Sequence, residues 1–487
     1  MTGTAQGTRI ARRDFIGGAA ALSAAAAIGG AAGAARDRPN FLILLTDDQK
    51  WNALGFEGHP LAATPNIDAL AARGVAFRNG FVTTPICATS RASILTSTYF
   101  ARNRFNFDRP GLAPDLVAQS FPKLLRGQGY VTGLVGKLGV WMDDGLTGAV
   151  LRRVGLANDH GGMFDRFQPI DLSPAMAVGD DGIARHRIER EEAAALAFLR
   201  DRPEGRPFCL VVGFNEPHIT DMPSGRGRFE VSPSDARLMP DAVLPPPEDA
   251  TEAVFAELPS VVRQNELIAG AEAEQWLRAG RGNEYANYFR LIAAVDRVVG
   301  NLLSELGRQG LDRNTVVILT SDNGLSLGDH RIFGKWTHLD ESIRVPLVIF
   351  DPRAGVPGAR PAEFALNVDI APTILGLAGI EPPAEYQGES LVPFVEGRSP
   401  LGWRDEFLIE HRADGGPELP DWVGIRATTF SFAAYDAPQG PEFYLTDLRS
   451  DPREAENLAG DPLQADRVRA LHRRALDWQR ALSGTGA

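Results

Sequence analysis

The sequence is poor in cysteine, with only Cys87 and Cys209 among 487 residues. Two thiols cannot build a disulfide framework. Basic residues are also in deficit, 50 Lys plus Arg against 62 Asp plus Glu, for a formal charge of −12. An acidic chain is a poor general binder of nucleic acid or anionic membrane, although a local cationic pocket can still take an anionic substrate. Beyond about residue 35 no run is long and apolar enough to span a bilayer. Internal repeats and a glycine-rich nucleotide loop are lacking too. What is present is a chain of ordinary apolar and charged content, longer than one hydrophobic core usually fills. One large domain with a smaller companion is expected.

Residues 1–34 read as an export segment. Arg12-Arg13-Asp14-Phe15-Ile16 precedes a weakly apolar, Ala/Gly-rich stretch, and Ala32-Gly33-Ala34 offers a small-residue cleavage site. Twin arginines in this setting resemble a twin-arginine signal. That implies the twin-arginine export machinery as a partner and a periplasmic or extracellular destination. The alternative, an uncleaved membrane anchor, is disfavoured by so much Ala and Gly.

Strands and helices alternate after Pro39. Asn40 to Leu45 is a continuous apolar run ending at Thr46-Asp47-Asp48, which predicts a buried parallel strand with two carboxylates at its C-terminal end. Further strands are expected over 75–82, 129–135, 208–214, 315–320 and 345–350. Cys209 lies within one of them and reads as a core thiol. A helix is expected over 68–73, stopping at Gly74, and another over 284–306, where Leu291, Ile292, Val295, Val298, Val299 and Leu302 follow the helical period. This alternation predicts an α/β/α sandwich on a mostly parallel sheet, whose ligands bind beyond the carboxyl ends of the strands. Residues 38–400 would form the large domain. Residues 401–487 carry strand-like pieces (406–409, 428–434, 443–445) and a helix over 464–482, as expected of a small α+β subdomain. The Pro-rich stretch 219–283 reads as a long loop with short helices near the site mouth.

Four oxygen-bearing residues fall at predicted strand ends: Asp47 and Asp48 after one strand, Asp322 and Asn323 after another. An all-oxygen set suits Ca²⁺ or Mg²⁺ rather than Zn²⁺. Helix capping or turn formation would explain one such pair, but two pairs at strand ends favour a metal. Cys87 precedes a helix start, with Arg91 four positions on, and both features favour an anionic or electrophile-binding group there.

At this point the chain resembles the sulfatases of the alkaline-phosphatase superfamily. Cys87-Ala88-Thr89-Ser90-Arg91 is similar to their signature of Cys or Ser, any residue, Pro, any residue, Arg. Thr46-Asp47-Asp48-Gln49, the stretch from Thr64 to Phe77, Gly129 to Lys137, Pro217-His218, Thr320 to Gly324, Gly334-Lys335 with Glu341 to Pro346, Val368 to Thr373, and Tyr444 to Leu458 follow in order. Chance agreement with one motif is easy; ordered agreement across nearly everything after Pro39 is not.

The resemblance implies a sulfuric ester hydrolase in which a formylglycine-generating enzyme oxidises Cys87 to formylglycine, a maturation that would precede export of the folded chain. The hydrated aldehyde attacks sulfur, and its second hydroxyl then expels sulfate. Asp47, Asp48, the modified Cys87, Asp322 and Asn323 would hold Ca²⁺, with Mg²⁺ as the alternative. Arg91, Lys137 and Lys335 would stabilise the charge on the modified residue and the sulfuryl oxygens, and His218 would protonate the leaving alcohol. A sulfated carbohydrate or small sulfated molecule is the expected substrate.

Two positions depart from the family pattern. Thr89 stands where Pro is usual, and Leu138 stands where the second signature continues with an aromatic residue and His. His330, His338 and His411 are candidates to replace that histidine. The departures keep two rivals in view: a phosphate or phosphonate ester hydrolase on the same scaffold, and an inactive carbohydrate-binding relative.

Overall fold

The structure, a computed structural model, describes residues 38–107, 111–142, 160–179, 181–220, 228–238, 247–270, 282–413 and 419–484. The candidate export segment 1–34 lies outside the described residues. Arg38–Ala487 forms one compact unit. None of the described helices is long and apolar enough to cross a membrane.

Seven strands make the main sheet. In chain order they are β1 (Asn40–Thr46), β2 (Val75–Phe77), β3 (Val131–Gly136), β4 (Arg166–Gln168), β5 (Phe208–Gly213), β6 (Thr315–Ser321) and β7 (Leu347–Phe350). In space the order is β2-β7-β6-β1-β5-β3-β4, so β1 is central. Side chains alternate across the sheet with a period of two. Leu42, Leu44, Leu210, Val212, Val317 and Leu319 enter one core. Phe41, Ile43, Leu45, Cys209, Val211, Val316 and Ile318 enter the other. Helices cover both faces: α1 (Pro65–Arg73), α3 (Arg187–Asp201) and α4 (Gly282–Arg308) on the first, α2 (Cys87–Thr96) and α5 (Ile370–Leu377) on the second. That double cover is why the strands are apolar throughout rather than alternating. Cys209 is a core thiol, as expected.

The sheet is mixed at one end, because β7 runs antiparallel to both β6 and β2. The single strand expected over 75–82 is two strands broken at Arg78. Its first half pairs with β7, and its second half, Asn79–Phe81, pairs with Phe364–Leu366. Strand β4 was not foreseen.

The C-terminal part is a four-stranded antiparallel sheet of β8 (Glu406–His411), β9 (Trp422–Ala427), β10 (Phe430–Tyr435) and β11 (Glu442–Asp447), backed by α6 (Ala465–Leu482). Its core is shared with the main body: Phe81, Tyr99, Ile343 and Val345 pack into the same cluster as Phe407, Ile425 and Phe432. The piece expected over 428–434 turns out to be a turn followed by β10, and β9 precedes it. Within 219–283 the described residues hold three short α-helices, Glu252–Glu257, Ser260–Arg263 and Glu266–Ala269, and a 3₁₀ helix, Asp235–Arg237.

Candidate active site

The parallel register of β1 and β6 sets Thr46 opposite Ser321, so Asp47 and Asp322 leave the sheet side by side. The Asp322 backbone N–H donates to Thr46 O at 3.1 Å, locking that alignment. Asp48 then adopts φ +63°, a left-handed conformation uncommon outside glycine. Tyr288 on α4 holds it there: its hydroxyl donates to Asp48 O at 2.9 Å and accepts from Lys50 N at 2.8 Å. Cys87 is the first residue of α2, and Arg91, one turn later, lies on the same helix face. Lys137 follows β3, His218 follows β5, and Lys335 follows the small hairpin Ser326–Leu327/Phe333–Gly334.

These elements bring all nine sequence-predicted residues to one place. Cys87 Sγ lies 3.3 Å from Asp47 Oδ1 and 2.6 Å from Lys335 Nζ. Lys335 Nζ also reaches Asp48 Oδ1 at 2.5 Å. Asn323 Nδ2 donates to Asp48 Oδ1 at 2.6 Å, and His218 Nε2 stands 3.4 Å from Asp48 Oδ2. Arg91 pairs through Nε with Asp322 Oδ2 at 2.6 Å, while Lys137 pairs with Asp47 Oδ2. Asp48, Cys87, Lys137, His218 and Lys335 open onto a cavity of about 390 Å³. Apolar side chains, among them Ile86, Phe107, Leu172, Leu325, Phe333 and Trp336, line the rest of its described wall.

Burial disfavours every charge here, and the pairs decide the outcome. For Asp47, burial would raise the pKa, but Lys137, His218, Arg91 and Lys335 hold the carboxyl well below its usual range. For Cys87, burial and then Asp47 push the thiol up to about 12. The unmodified side chain therefore keeps its proton and is a poor nucleophile. Three carboxylates (Asp47, Asp48, Asp322) face three cations (Arg91, Lys137, Lys335).

The residues fit a divalent cation. Asp47, Asp48, Cys87 and His218 offer ligand atoms that all lie within 4.8 Å of one another. Asn323 Oδ1 is buried with no hydrogen-bond partner. Such oxygen-rich donors suit a hard ion. Adding one would leave the site net positive, as an anionic ester requires.

None of the three candidate replacement histidines faces the cavity. His330 is fully buried beside Asp249, and His338 accepts from or donates to the Tyr435 hydroxyl at 2.8 Å among Trp422 and Tyr444. His411 Nε2 contacts Leu419 O at 3.2 Å. Leu138 itself turns into the core on the α2 side. Tyr288 was missed because its position belongs to the apolar stripe of α4 and reads as core. Thr89 is buried within α2, its hydroxyl without a hydrogen-bond partner.

Comparison with known proteins identifies the family of the chain. The sulfatase family model matches residues 39–380, and the model of the N-sulphoglucosamine sulphohydrolase C-terminal region matches residues 328–481. The N-acetylglucosamine-6-O-sulfatase of Bacteroides thetaiotaomicron is 29% identical over 89% of this chain and 85% of its own length. A protein solved with its substrate D-glucosamine-2-N,6-O-disulfate superposes with a TM-score of 0.75 at 25% identity, covering 92% of this chain and 98% of that one. The phosphonate monoester hydrolase of Agrobacterium radiobacter superposes with a TM-score of 0.72, also at 25% identity, over 92% and 96%. The chain belongs to the sulfatase family of the alkaline-phosphatase superfamily and is a sulfuric ester hydrolase.

Proposed function

We propose that this protein is an exported sulfatase that removes sulfate from a sulfated carbohydrate, using a formylglycine made from Cys87 and a Ca²⁺ ion held by Asp47, Asp48, residue 87, Asp322 and Asn323. The observation that carries the reading is the convergence of those five residues with Lys137, His218 and Lys335 at the end of the central strands. The saccharide half is supported by the sulfated-sugar relatives.

When present, the cation and the hydrated aldehyde supply charge neutralisation and the hydroxyl that attacks sulfur. The chain's own residues do the rest. Lys335, beside position 87 and on the cavity wall, binds a sulfuryl oxygen, and Lys137 binds another from the side of Asp47. Arg91 fixes Asp322 and donates through Nη1 to Lys137 O at 2.5 Å, so it positions two parts of the site at once. His218 is oriented by Nδ1 donating to Ile219 O at 2.6 Å. Its Nε2, facing the cavity and Asp48, then carries the proton delivered to the leaving alcohol.

The test is mass spectrometry of the tryptic peptide 79–91 from protein made in its native host. An aldehyde at position 87 supports the reading; a thiol throughout in active protein overturns it. Rates on N-acetylglucosamine 6-sulfate and 6-phosphate decide between this reading and the phosphoester one, which the phosphonate hydrolase neighbour keeps in play. For export, a double Arg12→Lys, Arg13→Lys substitution should retain the chain in the cytoplasm, and unchanged secretion would refute a twin-arginine route.

A further inference from the structure

A second cluster of ligating side chains lies apart from Cys87, beside a cavity of about 640 Å³. We propose that Asp249, His330 and Glu341 form a second metal site, one that takes a borderline divalent ion such as Zn²⁺ and pins the loop bearing Asp249 to the segment that presents Lys335.

The hydrogen bonding of His330 is the starting point. Its Nε2 lies 3.1 Å from Glu454 O, an acceptor only, so Nε2 carries a proton and donates. In the neutral ring Nδ1 is then a lone pair. That nitrogen is fully buried, has no hydrogen-bond partner, and is aimed at two carboxylates: Asp249 Oδ2 at 3.3 Å and Glu341 Oε2 at 3.8 Å. Glu341 Oε2 is also buried and without a hydrogen-bond partner. A lone pair facing two carboxylate oxygens is repulsive unless a proton or a cation sits between them. Lys50, which also lines this cavity, is already committed to Asp329 at 2.5 Å.

The donors choose the ion. One imidazole with two carboxylates suits zinc or a similar first-row ion, whereas the all-oxygen set beside Cys87 suits a harder one. The ring nitrogen away from the cluster donates to a backbone carbonyl, the usual arrangement behind a metal-bound histidine. Asp249 and Glu341 both line the cavity, so an ion has a path in. Lys335 lies between His330 and Glu341 in the chain, which makes the site a brace for a residue that touches Cys87.

Zinc titration calorimetry of the full chain in excess Ca²⁺, which keeps the oxygen-rich site filled, is the test. One zinc per chain is expected for the wild type and for Cys87→Ala. Asp249→Asn and His330→Gln should lose it, with folding of each confirmed by circular dichroism. Asp249→Asn alters a loop residue, so it remains informative if His330→Gln misfolds. The proposal is overturned if the wild type takes up no zinc, or if folded Asp249→Asn binds it as the wild type does. It is equally overturned if nitrogen NMR finds both ring nitrogens of His330 protonated in the presence of zinc, because a buried imidazolium would then satisfy the two carboxylates. Because Cys87→Ala retains the site, failure here is distinct from failure of the sulfatase reading.

Discussion

Arg91 and Asp322 form a buried ion pair, Nε to Oδ2 at 2.6 Å, with 1% of the arginine side chain and none of the aspartate exposed. The same guanidinium donates to Lys137 O, so one side chain ties the end of β6 to the loop after β3. Removing one partner of such a pair strands a buried charge. Arg91→Ala should therefore lose about 3–5 kcal/mol in urea unfolding, measured with a chelator present so that no cation compensates Asp322. Arg91→Lys keeps the charge but cannot span both acceptors, and should fall between. An unchanged urea midpoint in both variants would remove Arg91 from its positioning role.

Lys335 touches both Asp48 and Cys87 from a cavity wall while only 5% exposed. A cation placed where sulfuryl charge develops acts mainly on the transition state. Lys335→Met, which preserves much of the stem, should lower kcat about 10²–10³-fold with a smaller change in KM. If kcat holds, Lys335 is only the buried counter-ion of Asp48.

The site was more legible in the sequence than the fold around it. Its nine residues sit in short linear motifs at the ends of apolar runs, where chemistry-bearing side chains are conspicuous. Strand direction left no such mark: β7 is as apolar as its parallel neighbours, yet runs the other way. Strand β9 was hidden by Gly424 and Arg426, which break its apolar pattern. A Cβ at Gly424 would lie 2.2 Å from Phe432 O, and Arg426 is buried against Asp340 at 2.8 Å. Both are answers to tertiary neighbours distant in the chain. Tyr288 was hidden for the opposite reason, since a tyrosine on an apolar helix stripe looks like any core aromatic.

Close approach at Gly213 gives a steric test of the same region. A Cβ there would lie 2.1 Å from Lys137 O and 3.1 Å from Arg91 Nη1. A backbone carbonyl yields poorly, so Gly213→Ala should cost about 1–3 kcal/mol and displace Lys137 with it, lowering activity. Gly127 ends the helix Phe121–Gly127, and a Cβ there meets nothing within 4 Å. Gly127→Ala should leave activity intact and be neutral or stabilising by about 0.4–1 kcal/mol. Paired thermal melts and rate assays compare the two; equal behaviour would mean the β5 end has slack that the geometry denies.

His338 makes stability pH-dependent. Its ring lies 4.8 Å from that of Tyr444 and its Nδ1 2.8 Å from the Tyr435 hydroxyl. Burial pushes it down to about 3. An unfolded histidine titrates near about 6.5. Below that pH the unfolded chain takes up a proton that the folded chain refuses. The stability contributed by neutral His338 is thus present above about 6.5 and is lost as pH falls toward about 3, by up to about 1.4 kcal/mol per unit. His338→Gln retains an amide for Tyr435 but cannot titrate. Its stability deficit relative to the wild type, from urea unfolding between pH 7.5 and 5, should shrink as pH falls. A deficit constant across that range would show that His338 does not refuse the proton.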